Sequence, residues 1–376
     1  MYYLKLYDEK IAKFNMLYDE FGFRVENLEL ISEKYKLPLN LDFTNKGMEN
    51  FLKRRSVPKN REFVDKLLSK SGLNYNNTKG IIDICKGLSL NDSYWICDDS
   101  FTKDFSKCNL YQNPISNIIA LMAFNGYGTS INSKFISSPE FTTNGQLAKC
   151  WRRKNGNIFL FKLGTFGFKN AGLEPYSEFY ASQIAKVMDI NHVDYNLEKW
   201  KGKLCSTCKL FTDINHSYIP IGYLVKEGGF NAVFDYIKNL GDDFFNDFLD
   251  MIVFDAIIMN TDRHYGNFGL IIDNKINKPI SLAPIFDNGA SLLVYGMDED
   301  ELSSIEKAIE YSNTRYPVMY SDFILIAKKY MTKRQYNKVK KLINFKFKKH
   351  IRYNLSNNRL NLLEKIIKLR VEELLK

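Results

Sequence analysis

Apolar residues recur at helical spacing through the first quarter of the chain. Phe51, Leu52, Phe63, Val64, Leu67 and Leu68 gather on helical faces, with Pro38, Pro58 and Gly72 as punctuation. This reading makes the stretch from about Tyr3 to Asp98 mainly helical, with a boundary in the polar run 98–107. The pattern changes between about Phe135 and Val225. Ile158-Phe-Leu-Phe-Lys-Leu163 follows the turn Lys154-Asn-Gly-Asn157 and predicts a hairpin strand. A glycine-containing loop then leads into a helix predicted over Tyr176–Met188, and Leu204–Phe211 and Tyr218–Val225 predict two more strands. Farther on, Phe244–Met259 predicts a buried helix, and amphipathic helices run from Tyr320 to the last residues. The order is that of an α+β protein with two lobes. Residues 1–110 form a mainly helical N-terminal extension, 111–225 a small strand-rich lobe and 226–376 a helical lobe.

Composition narrows the class. The 376 residues are 45% hydrophobic and 26% charged, an ordinary globular balance that excludes wholesale disorder. The apolar runs Ile115–Phe124 and Met251–Met259 are too short to span a bilayer, and the second contains Asp255. The segment Met1-Tyr-Tyr-Leu-Lys-Leu-Tyr-Asp-Glu9 lacks the basic start and apolar run of an ordinary signal peptide, so no such signal is expected. Of six cysteines, Cys205 and Cys208 have the spacing of half a zinc site or a redox pair. No second pair follows, and strand cysteines are the expectation. The net charge of +10 is uneven. Residues 328–376 carry sixteen Lys or Arg against three Glu, a net of +13, so everything before them sums to −3. An anionic or acidic partner would suit such a region, but a solvated helical face in a Lys-biased chain is the preferred reading, and DNA binding is not predicted.

Phosphoryl transfer asks a protein mainly to position phosphates and metal, neutralise charge and aim an acceptor hydroxyl. One solution sets a carboxylate five positions before a metal-binding Asn, with a second metal-binding Asp downstream. The chain has Asp262-Arg-His-Tyr-Gly-Asn267 and then Ile285-Phe-Asp-Asn-Gly289, with Asp287 before a glycine. Between them, Leu270-Ile-Ile and Pro279–Ile285 read as short strands around the turn Asp273-Asn-Lys. Upstream, a lysine closing an aromatic strand, Lys162, is costly to bury unless paired, and Glu178 on the next helix can pair it. Taken singly, each has a plainer reading. Lys162 could reach solvent, Glu178 could be a solvated first-turn carboxylate, and Asp262, Asn267 and Asp287 could be turn formers. Their order and context together point to an active site.

These phrases resemble the HipA-like serine/threonine kinases. The resemblance rests on Asn260-Thr-Asp-Arg-His-Tyr-Gly-Asn-Phe-Gly269 and Phe286-Asp-Asn-Gly-Ala-Ser291. It extends to Thr143-Asn-Gly-Gln-Leu-Ala-Lys-Cys-Trp151, Leu160-Phe-Lys162, Glu174-Pro-Tyr-Ser-Glu178 and Cys208-Lys-Leu-Phe-Thr-Asp213. Arg55-Ser-Val-Pro-Lys-Asn-Arg61 and Gly87-Leu-Ser-Leu-Asn-Asp-Ser-Tyr-Trp95 resemble the extension of a subgroup of cell-translocating, pro-inflammatory bacterial kinases. The resemblance implies a two-lobed protein-kinase-like fold, ATP and Mg²⁺ as cofactors, autophosphorylation and protein substrates with Ser/Thr acceptors. It implies a cytoplasmic bacterial protein, with translocation into host cells as a further route. By the same resemblance Asp262 would orient or deprotonate the acceptor hydroxyl, Asn267 and Asp287 would hold Mg²⁺, Lys162 would grip the phosphates and Glu178 would hold Lys162. Thr143, Gly145 and Gln146 would offer backbone N–H groups to phosphate, with Lys149 nearby. Phe211 to Asp213 would lie at the lobe hinge against adenine. Arg263 and His264 would brace the catalytic loop.

Two features of ordinary protein kinases are absent. No Gly-x-Gly-x-x-Gly run precedes Lys162, and no Ala-Pro-Glu follows Asp287, so segment 291–317 is expected to be a flexible acceptor-side loop. Two other classes stay open. Asp-Arg-His-x-x-Asn also resembles the catalytic loop of phosphoinositide kinases, which suits a lipid or small-molecule acceptor. A non-catalytic, toxin-like binding module is the third reading.

Overall fold

The computed structural model describes residues 1–129, 135–167 and 169–376. It begins with three strands, β1 (Tyr2–Leu6), β2 (Glu9–Asp19) and β3 (Gly22–Leu30), and three helices, α1 (Asn45–Arg54), α2 (Val64–Ser69) and α3 (Thr78–Cys85). Strand β4 (Tyr94–Asp98), helix α4 (Asn117–Asn125), strands β5 (Lys149–Lys154) and β6 (Asn157–Lys162) and helix α5 (Glu174–Met188) follow. Then come β7 (Tyr195–Trp200), β8 (Lys203–Lys209), β9 (His216–Pro220), α6 (Gly229–Leu240) and α7 (Asp242–Ile258). The remainder is β10 (Gly269–Asp273), β11 (Lys278–Leu282), α8 (Ile305–Asn313), α9 (Phe323–Tyr330), α10 (Lys333–Lys340) and α11 (Asn357–Leu375).

The first of two units gathers Met1–Lys162, Thr212–Ile219 and Ile271–Ile280. Its opening corrects the mainly helical reading of the N-terminal extension. β1 to β4 form an antiparallel sheet in the order β3-β2-β1-β4, and the three helices come between β3 and β4. The helical spacing from Phe51 to Leu68 does fall in α1 and α2 or at the α2 N-cap, whereas the strands lie on either side of that stretch and β2 pairs irregularly. Its pairing skips Ile11 against β1 and Phe14 against β3, so the buried residues are Ile11, Ala12, Phe14 and Met16. Alternation survives from Ala12 through Phe14 to Met16, and the irregular pairing adds Ile11 as a second consecutive buried residue. Leu4, Ile11, Phe14, Phe51, Leu52 and Ile96 share the resulting core. On the opposite face of β4, Trp95 donates its indole N–H to the Tyr7 carbonyl at 2.6 Å and packs on Phe101 and Phe105.

Farther along, β5 and β6 make the predicted hairpin. Asn155 and Gly156 both have positive φ, 50° and 76°, as a two-residue turn matched to strand twist requires. The later segments of this unit are sewn to the early ones. Tyr7 and Ser93 hydroxyls donate to the Ile214 carbonyl at 2.9 and 2.7 Å, and the Asn277 amide donates to the Tyr35 and Leu37 carbonyls. The strand predicted over Tyr218–Val225 stops at Pro220, and a single 3-10 turn, Ile221–Tyr223, succeeds it.

The second unit comprises Leu163–Phe211, Pro220–Leu270 and Ser281–Lys376. Its centre is α7, whose residues from Phe248 to Ile258 are all buried. α6, α9 and α11 pack around it. β7 and β8 form a second hairpin, and Cys205 and Cys208 are buried strand residues on β8. Segment 291–317 is packed rather than open. Leu292 and Leu293 are buried, α8 lies within it, and the Arg359 guanidinium donates to the Leu293, Val294 and Gly296 carbonyls. Much of the terminal basic charge is met internally. Arg334 and Lys338 both reach the buried Asp250, Lys346 meets Glu364 and Arg359 meets Asp298. No helix among the described residues is long and apolar enough to cross a membrane.

Candidate active site

The candidate catalytic loop begins where α7 is forced to end. Met259 takes a left-handed conformation (φ 56°), and the fully buried Asn260 turns the chain by accepting the Asp262 N–H on its side chain at 3.1 Å. The Asp262 carbonyl then accepts two bonds, from the His264 N–H at 2.8 Å and from the Asn267 side-chain amide at 2.9 Å. Two consequences follow. The Asp262 side chain stays exposed at the head of the loop, while Asn267 is buried with its amide nitrogen committed. That leaves the Asn267 amide oxygen as the donor atom a hard cation would take.

Arg263 is the keystone. All five of its N–H donors are used, on the Asp255 carboxylate (2.9 and 3.1 Å), the Asn267 carbonyl (3.0 Å), the Phe286 carbonyl (2.5 Å) and the Asn288 side chain (2.6 Å). It therefore ties α7, the loop 260–267 and the loop carrying Asp287 into one piece. Burial alone would lower the Arg263 pKa, but Asp255 outweighs it and leaves the guanidinium above its ordinary value. Burial pushes the Asp255 carboxyl upward, against the pull of Arg263.

Asp287 itself is left-handed (φ 56°), a conformation Asp tolerates better than most residues and one often met at functional sites. Its N–H donates to the Tyr195 hydroxyl at 3.1 Å, and its neighbour Ala290 accepts the Thr261 N–H at 3.2 Å. Burial raises the Tyr195 hydroxyl well above its usual pKa, so it stays neutral. From α5, the Ser177 hydroxyl lies 2.9 Å from the Asn288 carbonyl. Glu178 is fully buried, which removes the solvated first-turn reading. A Cβ on Gly289 would stand 3.3 Å from Glu178 Oε1, so this glycine lets helix and loop close up. Phe211 packs its ring 5.3 Å from that of Phe286. Asp262, Asn267, Asp287, Glu178 and Phe211 are thus all held within the second unit.

The remaining predicted residues lie in the first unit. Lys149 and Lys162 face each other across β5 and β6, and both are buried. Gly145 (φ 91°) forms the tip of the 143–146 turn, and the Lys149 ammonium donates to the Asn144 carbonyl at 3.0 Å. The Thr143 hydroxyl is committed, accepting from the Trp151 indole at 3.0 Å and donating to the Pro139 carbonyl at 2.7 Å. Gln146 and Asn144 are exposed beside the tip. Asp213 closes its own turn, accepting the Asn215 and His216 N–H groups and the His216 ring. Burial raises its carboxyl, but His216 and these N–H groups outweigh it and hold it below the ordinary value.

Because a Cβ at position 145 would meet the Lys149 ammonium at 2.2 Å, Gly145→Ala must both displace that lysine and strain the turn. It is expected to cost about 1–2 kcal/mol of stability and to weaken nucleotide binding, as thermal unfolding and calorimetry would register. An unchanged ATP affinity would separate this turn from phosphate binding.

Sequence reasoning missed Asp255, Tyr195 and Asn288. Asp255 did carry a signal. It is a lone carboxylate inside an apolar helix, which needs a buried cationic partner.

No family model matches the chain. A chain of the Shewanella oneidensis toxin–antitoxin complex of HipA, HipB and operator DNA matches over 99% of this chain and 97% of its own, with a TM-score of 0.56 at 11% identity. The protein has a HipA-like kinase fold. In sequence it resembles the serine/threonine-protein kinase CtkA of Helicobacter pylori, at 29% identity over 136 residues that cover 31% of this chain. The match spans about 40% of the length of that relative. A crystal structure of a Helicobacter pylori proinflammatory kinase CtkA aligns over 62% of this chain and 92% of its own, at 20% identity and a TM-score of 0.49.

Proposed function

We propose that the protein is an ATP- and Mg²⁺-dependent serine/threonine protein kinase that phosphorylates itself as well as other proteins. The observation that carries this reading is the Arg263-braced pair of loops, which fixes Asp262 and Asn267 together with the loop of Asp287. The oxygen donors of Asn267 and Asp287 fit Mg²⁺, which prefers few carboxylate or amide ligands supplemented by phosphate oxygens. When bound there, the ion neutralises charge on the β- and γ-phosphates. Lys162, with Lys149 opposite, grips phosphate oxygens, and Glu178 supplies a buried carboxylate from the second unit. The N–H groups of the turn at Gly145 add backbone donors. Asp262 aligns the Ser or Thr hydroxyl and accepts its proton as that oxygen bonds to the γ-phosphorus. The bond to the β–γ bridging oxygen breaks in the same displacement, and ADP leaves. Phe211 offers an apolar face to adenine.

Intact-mass and peptide mass spectrometry before and after incubation with ATP–Mg²⁺ tests this. Phosphoryl groups gained on Ser or Thr of the chain are expected. Transfer to inositol lipid with none to protein, or no transfer at all, would overturn it.

A further inference from the structure

We infer that Arg61, paired with Glu140, is a positioning residue for the nucleotide: it anchors the turn 143–149 whose exposed tip receives the phosphates. The inference rests on the kinase reading above and assigns the N-terminal segment a part in it.

The geometry starts with a local turn. Pro58 presets the backbone, and the Arg61 N–H closes the turn on the Pro58 carbonyl at 3.1 Å, sending the guanidinium inward. Only 2% of Arg61 and none of Glu140 is exposed, so neither is a surface charge. One arginine nitrogen donates to the Glu140 carboxylate at 2.8 Å and to the Lys149 carbonyl at 2.7 Å. The other donates to the carbonyls of Glu140 at 2.8 Å and Thr143 at 3.3 Å. Arg61 thus holds both ends of the turn at once. The adjacent Glu62 N–H takes the Gln146 carbonyl at 2.8 Å.

Glu140 completes the clamp from the other side. Its second carboxylate oxygen accepts the Trp151 N–H at 2.7 Å, at the start of the strand that carries Lys149, and the Trp151 indole reaches the Thr143 hydroxyl. Between these fixed ends only Asn144, Gly145 and Gln146 are exposed. A glycine-tipped turn is intrinsically loose, and restricting it before the ligand arrives lowers the ordering cost of binding. Two main-chain anchors and a buried ion pair are more than a solvated turn needs. They suit a turn that must present its N–H groups in one arrangement.

The test compares the full-length chain with two variants. In the first, Arg61→Met is combined with Glu140→Leu, which removes both buried charges together and so leaves no unpaired charge in the core. In the second, Arg61→Lys keeps the charge beside Glu140 but cannot reach the Thr143 and Lys149 carbonyls together. Calorimetry with ATP–Mg²⁺ is expected to show affinity about tenfold weaker in the paired variant, with Arg61→Lys in between. In transfer to a generic protein substrate, KM for ATP rises by a similar factor, while kcat at saturating ATP changes far less. A merely structural role would lower kcat and the unfolding midpoint and leave KM in place. Wild-type affinity and KM in either folded variant would overturn the inference alone. A wild-type chain that binds no ATP–Mg²⁺ would overturn the kinase reading, and this inference with it.

Discussion

Asp262→Asn is expected to lower phosphoryl transfer by about 10²–10⁴-fold, the usual contribution of a positioned general base, while ATP–Mg²⁺ affinity stays close to that of the wild type. The substitution removes a proton acceptor while keeping the shape of the side chain. The loop is shaped through the Asp262 main chain, whose carbonyl accepts from His264 and Asn267 and whose N–H is held by Asn260. Its side chain is exposed, so the isosteric amide brings no burial cost. Circular dichroism and thermal unfolding should therefore match the wild type, while incorporation of phosphate into the chain collapses. A variant that phosphorylates itself at the wild-type rate would remove Asp262 from the chemistry.

The second large effect is on stability. Arg263→Ala leaves the Asp255 carboxylate buried without its cation, and breaking one side of such a pair costs about 3–5 kcal/mol. The loss goes beyond the ion pair. The Asn267 and Phe286 carbonyls and the Asn288 side chain each lose a donor in the same step. A fall in the denaturation midpoint should accompany loss of transfer. Combining Asp255→Leu with Arg263→Met separates the two consequences. Removing both charges together restores most of the stability, but the loops of Asn267 and Asp287 lose their tie and activity stays low. If the paired variant were fully active, the brace would be a device for stability alone.

The sequence disclosed features written in contiguous residues and hid those made by distant ones. The β5–β6 hairpin was legible because Asn155-Gly156 demands its turn type, and the catalytic loop because Asp262 and Asn267 lie within one short phrase. α7 was legible as an apolar run that ends at Asn260. The N-terminal sheet was not, since the apolar spacing of Phe51 to Leu68 belongs to α1 and α2, and the strands that flank them pair residues far apart in the chain, Tyr2 with Asp98 among them. β7 was missed for another reason. Only Leu197 is buried in it, so no alternation exists to be read. Within the site, the Arg61–Glu140 clamp joins residues 79 positions apart, and no local pattern announces such a pairing. Asp255 stood eight positions before Arg263, and its isolation in an apolar helix was the one usable clue.

The interlaced chain of the first unit bears on how the protein is made. Asn277 supplies the amide that bonds the Tyr35 and Leu37 carbonyls, and 242 positions separate it from Tyr35. At about 5–20 residues per second, a ribosome needs roughly 12–50 s to bring the second of those residues out after the first. During that interval the sheet of β1 to β4 exists without the segments 212–219 and 271–280 that finish its unit. The N-terminal extension is therefore a half-built surface for most of its synthesis, one that a nascent-chain chaperone would find open. A fragment ending near residue 110 would carry the same open surface permanently, and should be recovered as aggregate.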